Sequence, residues 1–226
     1  FNTLRTWAPL SDEALARAAS HGLMVLQGVW IERSGDFHSS TFRESMLQVL
    51  RAEAARAAAH PNVLGLIVGN ELHPAQVFAA GVPEPEALLK QAAAAVKGVD
   101  ATRLVSYANW PSLAFLDASP WDIVCFNVYP YEPASVAHAF GFRGYVEQLK
   151  RATAQHKPLL ISELGLSLSH GSGTKPGYGG YTPQTRPPAL LQLWDALFQA
   201  GAQGGAVFEW NDEWWKQAET NDDASP

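Results

Sequence analysis

The 226-residue chain holds one cysteine, Cys125, and two methionines. A single thiol closes no internal disulfide, and its place inside Ile123-Val124-Cys125-Phe126 predicts a buried, inert side chain. No apolar run approaches the roughly 18 residues that a membrane-spanning helix requires, and no charged-then-apolar leader opens the chain. The first residue is Phe1 rather than Met, so the chain is expected to be part of a longer one, and its localisation is not legible in these residues. Cations are scarce: 16 Lys and Arg stand against 22 Asp and Glu, a net charge of -6. They are scattered along predicted helices with no basic stripe for phosphates, which argues against a nucleic-acid partner. No glycine-rich loop of the GxGxxG or GxxxxGKS kind follows a predicted strand, which weakens a nucleotide-binding doubly wound sheet. Only His73 and His170 fall near the predicted strand ends described below, too few and too far apart for a metal centre, so neither metal nor cofactor is expected.

What the chain does have is hydrophobic bulk, 47% of residues, enough for one large core and a single domain over residues 1–226. Strand and helix signals alternate throughout. Residues 2–6 read as a strand, followed by a helix with Ser11 as N-cap, Asp12 and Glu13 in its first turn and Gly22 as its stop. Residues 23–29 form the next strand. Thr41 with Glu44 suggests a capping box, after which Met46, Val49, Leu50, Ala54 and Ala57 recur at helical spacing up to Ala59. A strand over residues 63–71 precedes a helix with Pro85 in its first turn and Leu88, Leu89, Ala92 and Val96 on its apolar face. Strands follow at residues 103–107 and 122–127. A helix with Tyr145, Val146, Leu149 and Ala152 then leads to a strand at residues 158–163, and a last helix over residues 184–200 leads to a strand at residues 206–210. Seven strands, each joined to the next by a connection long enough for a crossover, predict an α/β fold with a parallel sheet. A closed (β/α)8 barrel of the TIM type needs eight, so the segment is expected to hold the second to eighth βα units and to lack the first strand and helix.

The strand ends carry the chemistry. Val63-Leu64-Gly65-Leu66-Ile67-Val68-Gly69-Asn70-Glu71 and Pro158-Leu159-Leu160-Ile161-Ser162-Glu163 each place a glutamate after an apolar run without alternation, the pattern of a parallel strand covered on both faces. The C-terminal ends of barrel strands are where catalytic groups collect, and two carboxylates there are the minimal equipment for cleaving a glycosidic bond. Arg5, Trp30, Asn109, Trp110, Asn127, Tyr129, Glu209 and Trp210 fall at the other strand ends, and the flat rings of Trp30, Trp110 and Trp210 suit stacking on sugar faces. The loop from Ser169 to Tyr181 is long and has no helical or strand period; it is expected to cover the site, with Tyr178 and Tyr181 as stacking groups.

Taken together, Gly69-Asn70-Glu71, Phe126-Asn127-Val128-Tyr129, Ile161-Ser162-Glu163-Leu164-Gly165 and Phe208-Glu209-Trp210-Asn211-Asp212-Glu213-Trp214-Trp215-Lys216 resemble the clan A glycoside hydrolases. The opening Phe1-Asn2-Thr3-Leu4-Arg5-Thr6-Trp7 resembles the second strand of that clan's family 2, family 5 and glucanosyltransferase members, and the ending is similar to the family 17 β-glucanases. The resemblance implies a retaining enzyme acting on a β-linked glucan or oligosaccharide, by hydrolysis or transglycosylation. It implies Glu71 as general acid and base, Glu163 as nucleophile, Asn70 as donor to the sugar 2-hydroxyl and Tyr129 as hydrogen-bond partner of the nucleophile. That substrate class points to a periplasmic or extracellular location. Two other functions compete. A non-catalytic glycan-binding or scaffold domain would not need both glutamates, and a metal-dependent or Schiff-base barrel enzyme would need a His and Asp cluster or a strand-end Lys, which the sequence lacks.

Overall fold

The computed structural model describes residues 1–32, 35–131, 140–168 and 181–210. Among them, seven strands form one sheet whose spatial order repeats the chain order: β1 (Thr3–Arg5), β2 (Met24–Val29), β3 (Val63–Asn70), β4 (Leu104–Asn109), β5 (Val124–Asn127), β6 (Leu159–Leu164) and β7 (Gly204–Val207). The registers of β1 with β2, β2 with β3, β3 with β4 and β6 with β7 are all parallel. The connecting helices are α1 (Asp12–Ser20), α2 (Ser40–Ala58), α3 (Pro74–Ala80), α4 (Pro83–Val99), α5 (Gly141–Leu149) and α6 (Arg186–Gln199). The chain divides into two compact units, Phe1–Cys125 and Phe126–Pro226.

In the first unit, α1, α2 and α4 cover the strands. Leu15, Leu50, Leu66, Val68, Leu88 and Val96 are at most 1% exposed, and burying each such side chain stabilises by about 1.5–3 kcal/mol. Alanines line the buried faces of α2 (Ala54, Ala57) and α4 (Ala92, Ala93, Ala95), and small side chains there let the helices lie close. Arg43 on α2 pairs with Glu84 on α4 at 2.7 Å. Arg103, just before β4, donates to Ala57 O and Val63 O while its Nε meets Asp100, so one guanidinium ties the end of α2 to the start of β3. Cys125 is buried as expected, and burial pushes its thiol up to about 11. In the second unit Phe126, Val146, Leu159, Ile161 and Leu197 are buried, whereas all four residues of β7 are half-buried.

Ser11 caps α1 as its sequence predicts, accepting from Ala14 N, and Gly22 takes φ 70°. Other elements differ from the sequence expectation. The cap of α2 is Ser39, which accepts from Phe42 N, rather than Thr41. Its buried face runs through Leu47, Leu50, Ala54 and Ala57, while Val49 is 44% exposed. The helix α3 is unanticipated; His73 caps it through Nδ1 and Pro74 occupies its first turn. Past Leu149 the chain widens into a π-helical turn at Lys150–Ala154, with Gln155 N donating to Lys150 O and Gln155 at φ 49°. The last strand ends at Val207, so Phe208, Glu209 and Trp210 lie beyond it.

Gly28 on β2 shows how closely neighbouring backbones approach. A Cβ there would stand 2.4 Å from both Thr6 O and Trp7 O. Backbone atoms cannot yield as a side-chain tip does, so Gly28→Ala is expected to cost about 1–3 kcal/mol. For a domain of this size each kcal/mol lowers the melting temperature by roughly 2–4 °C. Gly98, with nothing within 4 Å of its ideal Cβ, is the matched control, and Gly98→Ala in a helix is expected to gain about 0.5–1 kcal/mol. Thermal melts of the two variants check this, and equal melting temperatures would refute the close approach.

Candidate active site

Both candidate catalytic glutamates lie where a strand takes one extra residue relative to its neighbour. Between Ile67↔Ser106 and Asn70↔Ala108, β3 advances by three residues while β4 advances by two. Between Ile161↔Gly205 and Leu164↔Val207, β6 advances by three while β7 advances by two. Such bulges bend the strand and re-aim the side chains that follow, and they are common at barrel rims. In β3 the bulge is accommodated by Gly69 at φ 84°. The nearest atoms to a Cβ on Gly69 would be those of Ile31 at ordinary contact distance, so the backbone angle, not space, calls for glycine.

Glu71 follows with φ 45°, a left-handed backbone on a residue with a full side chain, which costs roughly 1–2 kcal/mol. Three hydrogen bonds hold it: Glu71 N donates to Ala108 O at 2.9 Å, Leu72 N donates to the Tyr107 hydroxyl at 2.8 Å, and Trp110 Nε1 donates to Leu72 O at 3.2 Å. Asn70, 7% exposed, accepts at Oδ1 from Arg5 Nη2 at 2.6 Å. Because a guanidinium only donates, Arg5 fixes which end of the amide faces it and turns Nδ2 the other way.

In the second unit Glu163 is 6% exposed near the end of β6. The Tyr129 phenol donates to Glu163 Oε2 at 3.0 Å, and Val128 N donates to Glu163 O at 2.9 Å. Tyr129 is itself fixed by rings: Tyr131 stacks on it at 5.2 Å and Phe208 meets it edge-on at 6.4 Å. A Cβ on Gly165 would come within 2.4 Å of Phe208 O, so glycine lets the segment after β7 close against the end of β6. Phe208 N donates to Leu164 O at 2.8 Å. Asn127, 1% exposed, accepts from the Ser162 hydroxyl at 2.7 Å.

The remaining site residues fall as follows. Trp30, after β2, is 40% exposed, and Trp210 is 91% exposed, so both present rings to solvent. Glu209 is half-buried. Asn109 is buried; its Oδ1 accepts from Trp110 N and its Nδ2 donates to Leu113 O, closing the 3-10 turn Pro111–Leu113. Trp110 is half-buried against the chain beyond Glu71. Of the expected covering loop only Tyr181 is described; Tyr178 and His170 lie outside the described residues, as do Asn211, Asp212 and Glu213. Among the described residues no group of three or more His, Cys, Asp or Glu is placed to hold a metal ion. No described helix is long and apolar enough to cross a membrane. Sequence reasoning missed Tyr107, Tyr131, Ser162 and Phe208. The one signal for Tyr107 was a phenol inside an apolar strand, since a buried hydroxyl needs a polar partner.

This arrangement, an α/β sheet of parallel strands with carboxylates at their C-terminal ends, has the architecture of a TIM-barrel domain. Residues 12–221 match the family model for the TIM barrel domain of glycosyl hydrolases family 2, and the chain belongs to that family. Of the families its motifs resemble, family 2 is the one so established. The fold is similar to that of a family 2 β-galacturonidase from Eisenbergiella tayi bound to glycerol (TM-score 0.72, 18% identity, 96% of this chain and 39% of that one). It is also similar to β-glucuronidase 2 of Bacteroides uniformis covalently bound to cyclophellitol-6-carboxylate aziridine (TM-score 0.70, 17% identity, 92% and 26%). A third is the β-D-glucuronidase of Dictyoglomus thermophilum (TM-score 0.66, 20% identity, 92% and 38%). At these identities the likeness establishes the fold. The chain spans 26 to 39% of the length of these three proteins. No curated protein matches it.

Proposed function

We propose that the protein containing this barrel is a retaining glycoside hydrolase acting on a β-linked glucan or oligosaccharide, with Glu163 as nucleophile and Glu71 as general acid and base. The observation that carries the reading is the setting of Glu163, a carboxylate 6% exposed and held by the Tyr129 phenol. Carboxylates are rarely buried without a partner and a reason. Here the setting keeps one carboxylate oxygen in a defined direction.

In the first step a Glu163 oxygen attacks the anomeric carbon as the glycosidic C–O bond breaks, and the Glu71 carboxyl passes its proton to the departing oxygen. In the second, the Glu71 carboxylate takes a proton from water as that water attacks the anomeric carbon, and the ester to Glu163 is released. Such double displacement asks for carboxyl groups roughly 5 to 5.5 Å apart. Asn70 Nδ2, oriented by Arg5, is the donor to the sugar 2-hydroxyl. Exposed Trp30 and Trp210 supply ring faces for stacking. Asn109, Trp110, Asn127 and Glu209 complete the lining, the first two through the loop they shape. A second sugar in place of water in the second step would give transglycosylation.

The test is proton NMR of the first-formed product, with the full-length protein given β-1,3-, β-1,4- and β-1,6-glucans and, in parallel, nitrophenyl β-glucuronide and β-galacturonide. The expected result is turnover of a glucan with the β-anomer appearing first. Turnover of the uronides alone would move the substrate class to that of the similar solved proteins. An initial α-anomer would overturn the retaining mechanism.

A further inference from the structure

We infer that Tyr107 and Trp110 are positioning residues for Glu71, holding the peptide groups beyond it so that its carboxyl stays aimed; the inference rests on the acid and base role proposed for Glu71. The pair Asn70↔Ala108 is the last in register between β3 and β4. Beyond it the sheet no longer dictates the path of the chain, yet Glu71 must sit in a left-handed conformation, φ 45°. Side chains from the end of β4 take over the task of the ladder. The Tyr107 hydroxyl accepts from Leu72 N, in the peptide that follows Glu71 directly, and Trp110 Nε1 donates to Leu72 O, in the next peptide. With Glu71 N on Ala108 O, the backbone is held on both sides of the carboxyl-bearing residue.

The holding groups are themselves rigid. Tyr107 is 2% exposed and its ring lies against Trp121 at 6.1 Å. Trp110 is set by its own N–H on Asn109 Oδ1, and Asn109 by Leu113 O. The Leu72 side chain is 1% exposed, so the segment is anchored through both its polar and its apolar parts. A rotation about the Glu71 backbone displaces the carboxyl by a large fraction of its reach, and a misplacement near 1 Å costs on the order of 100-fold in rate.

The test uses aryl β-glycosides of graded leaving-group acidity, from 2,4-dinitrophenyl to phenyl, in whichever of the glucoside, glucuronide or galacturonide series the full-length wild type turns over. Tyr107→Phe removes only the hydroxyl. It is expected to lower kcat/KM about 10- to 100-fold on the phenyl glycoside and to leave the dinitrophenyl glycoside, which departs without a proton, within about threefold. The plot of log kcat/KM against leaving-group pKa therefore steepens. Trp110→Phe, which keeps a ring and deletes the Nε1 donor, is the second variant and is expected to steepen it as well. A merely structural role would lower thermal stability, or both substrates equally, without changing the slope; a wild-type slope in both variants overturns the inference. Glu71→Ala is run beside them. If it steepens the slope and the two variants do not, the positioning role fails and the acid role stands; if Glu71→Ala leaves the slope unchanged, the acid role itself fails.

Discussion

Glu163→Gln is expected to reduce turnover by a factor on the order of 10,000 or more, since it removes the attacking oxygen while keeping the shape of the side chain. That factor corresponds to about 5.5 kcal/mol of transition-state stabilisation. The amide oxygen can still accept from the Tyr129 phenol, which in the native chain lies 3.0 Å from Glu163 Oε2. The fold should therefore survive, with a melting temperature at or above that of the wild type because a nearly buried charge has been removed. Initial rates and a thermal melt on the same preparation decide the matter. A variant that keeps a tenth of the activity would show that Glu163 is not the nucleophile, and one that loses activity together with its fold would say nothing against it, so Glu163→Asp provides the second arm. That variant keeps the charge but withdraws the carboxylate by one methylene, and a nucleophile so displaced should also lose most of its rate.

The second large effect belongs to Glu71→Ala, and its size depends on the substrate. General acid and base assistance contributes roughly 100- to 10,000-fold, so a poor leaving group such as a sugar hydroxyl should be lost at close to that factor. A dinitrophenolate needs no proton to depart, and its glycoside should still form the glycosyl-enzyme. The intermediate then accumulates because water lacks its base, and a burst of phenolate equal to the enzyme concentration precedes a slow steady state. Azide, which needs no base, should restore turnover and yield a β-glycosyl azide. Uniform loss on all substrates, with no burst and no azide rescue, would remove Glu71 from the acid and base role.

The candidate catalytic groups were legible because they follow strands that sequence describes well. Apolar runs, residues 63–69 and 159–161, lead up to Glu71 and Glu163, and in the structure they lie in β3 and β6, whose residues are nearly all buried. The elements that went astray are those where sequence offers several equal choices. Ser39, Ser40 and Thr41 all carry hydroxyls able to cap a helix, and Ser39 takes that place. The neighbouring Met46 and Leu47 are equally apolar, and packing rather than periodicity chose Leu47 for the core. The helix α3 is only seven residues long, too short for a periodic pattern, and its cap is a histidine rather than a favoured Ser, Thr, Asp or Asn.

The side-chain geometry of the site belongs to a different level. The sequence alone determined the alternation of strands and helices, the parallel sheet and the glutamates at two strand ends, since these follow from local patterns of burial, capping and chain reversal. Tertiary structure decided the rest. A bulge is a property of two strands in register, so the extra residues in β3 and β6 cannot be read from either strand. Tyr107 meets Leu72 across 35 residues, Tyr129 meets Glu163 across 34 and Arg5 meets Asn70 across 65. A hydrogen bond depends on tenths of an ångström and on angle, and those are set only when distant segments are packed against one another.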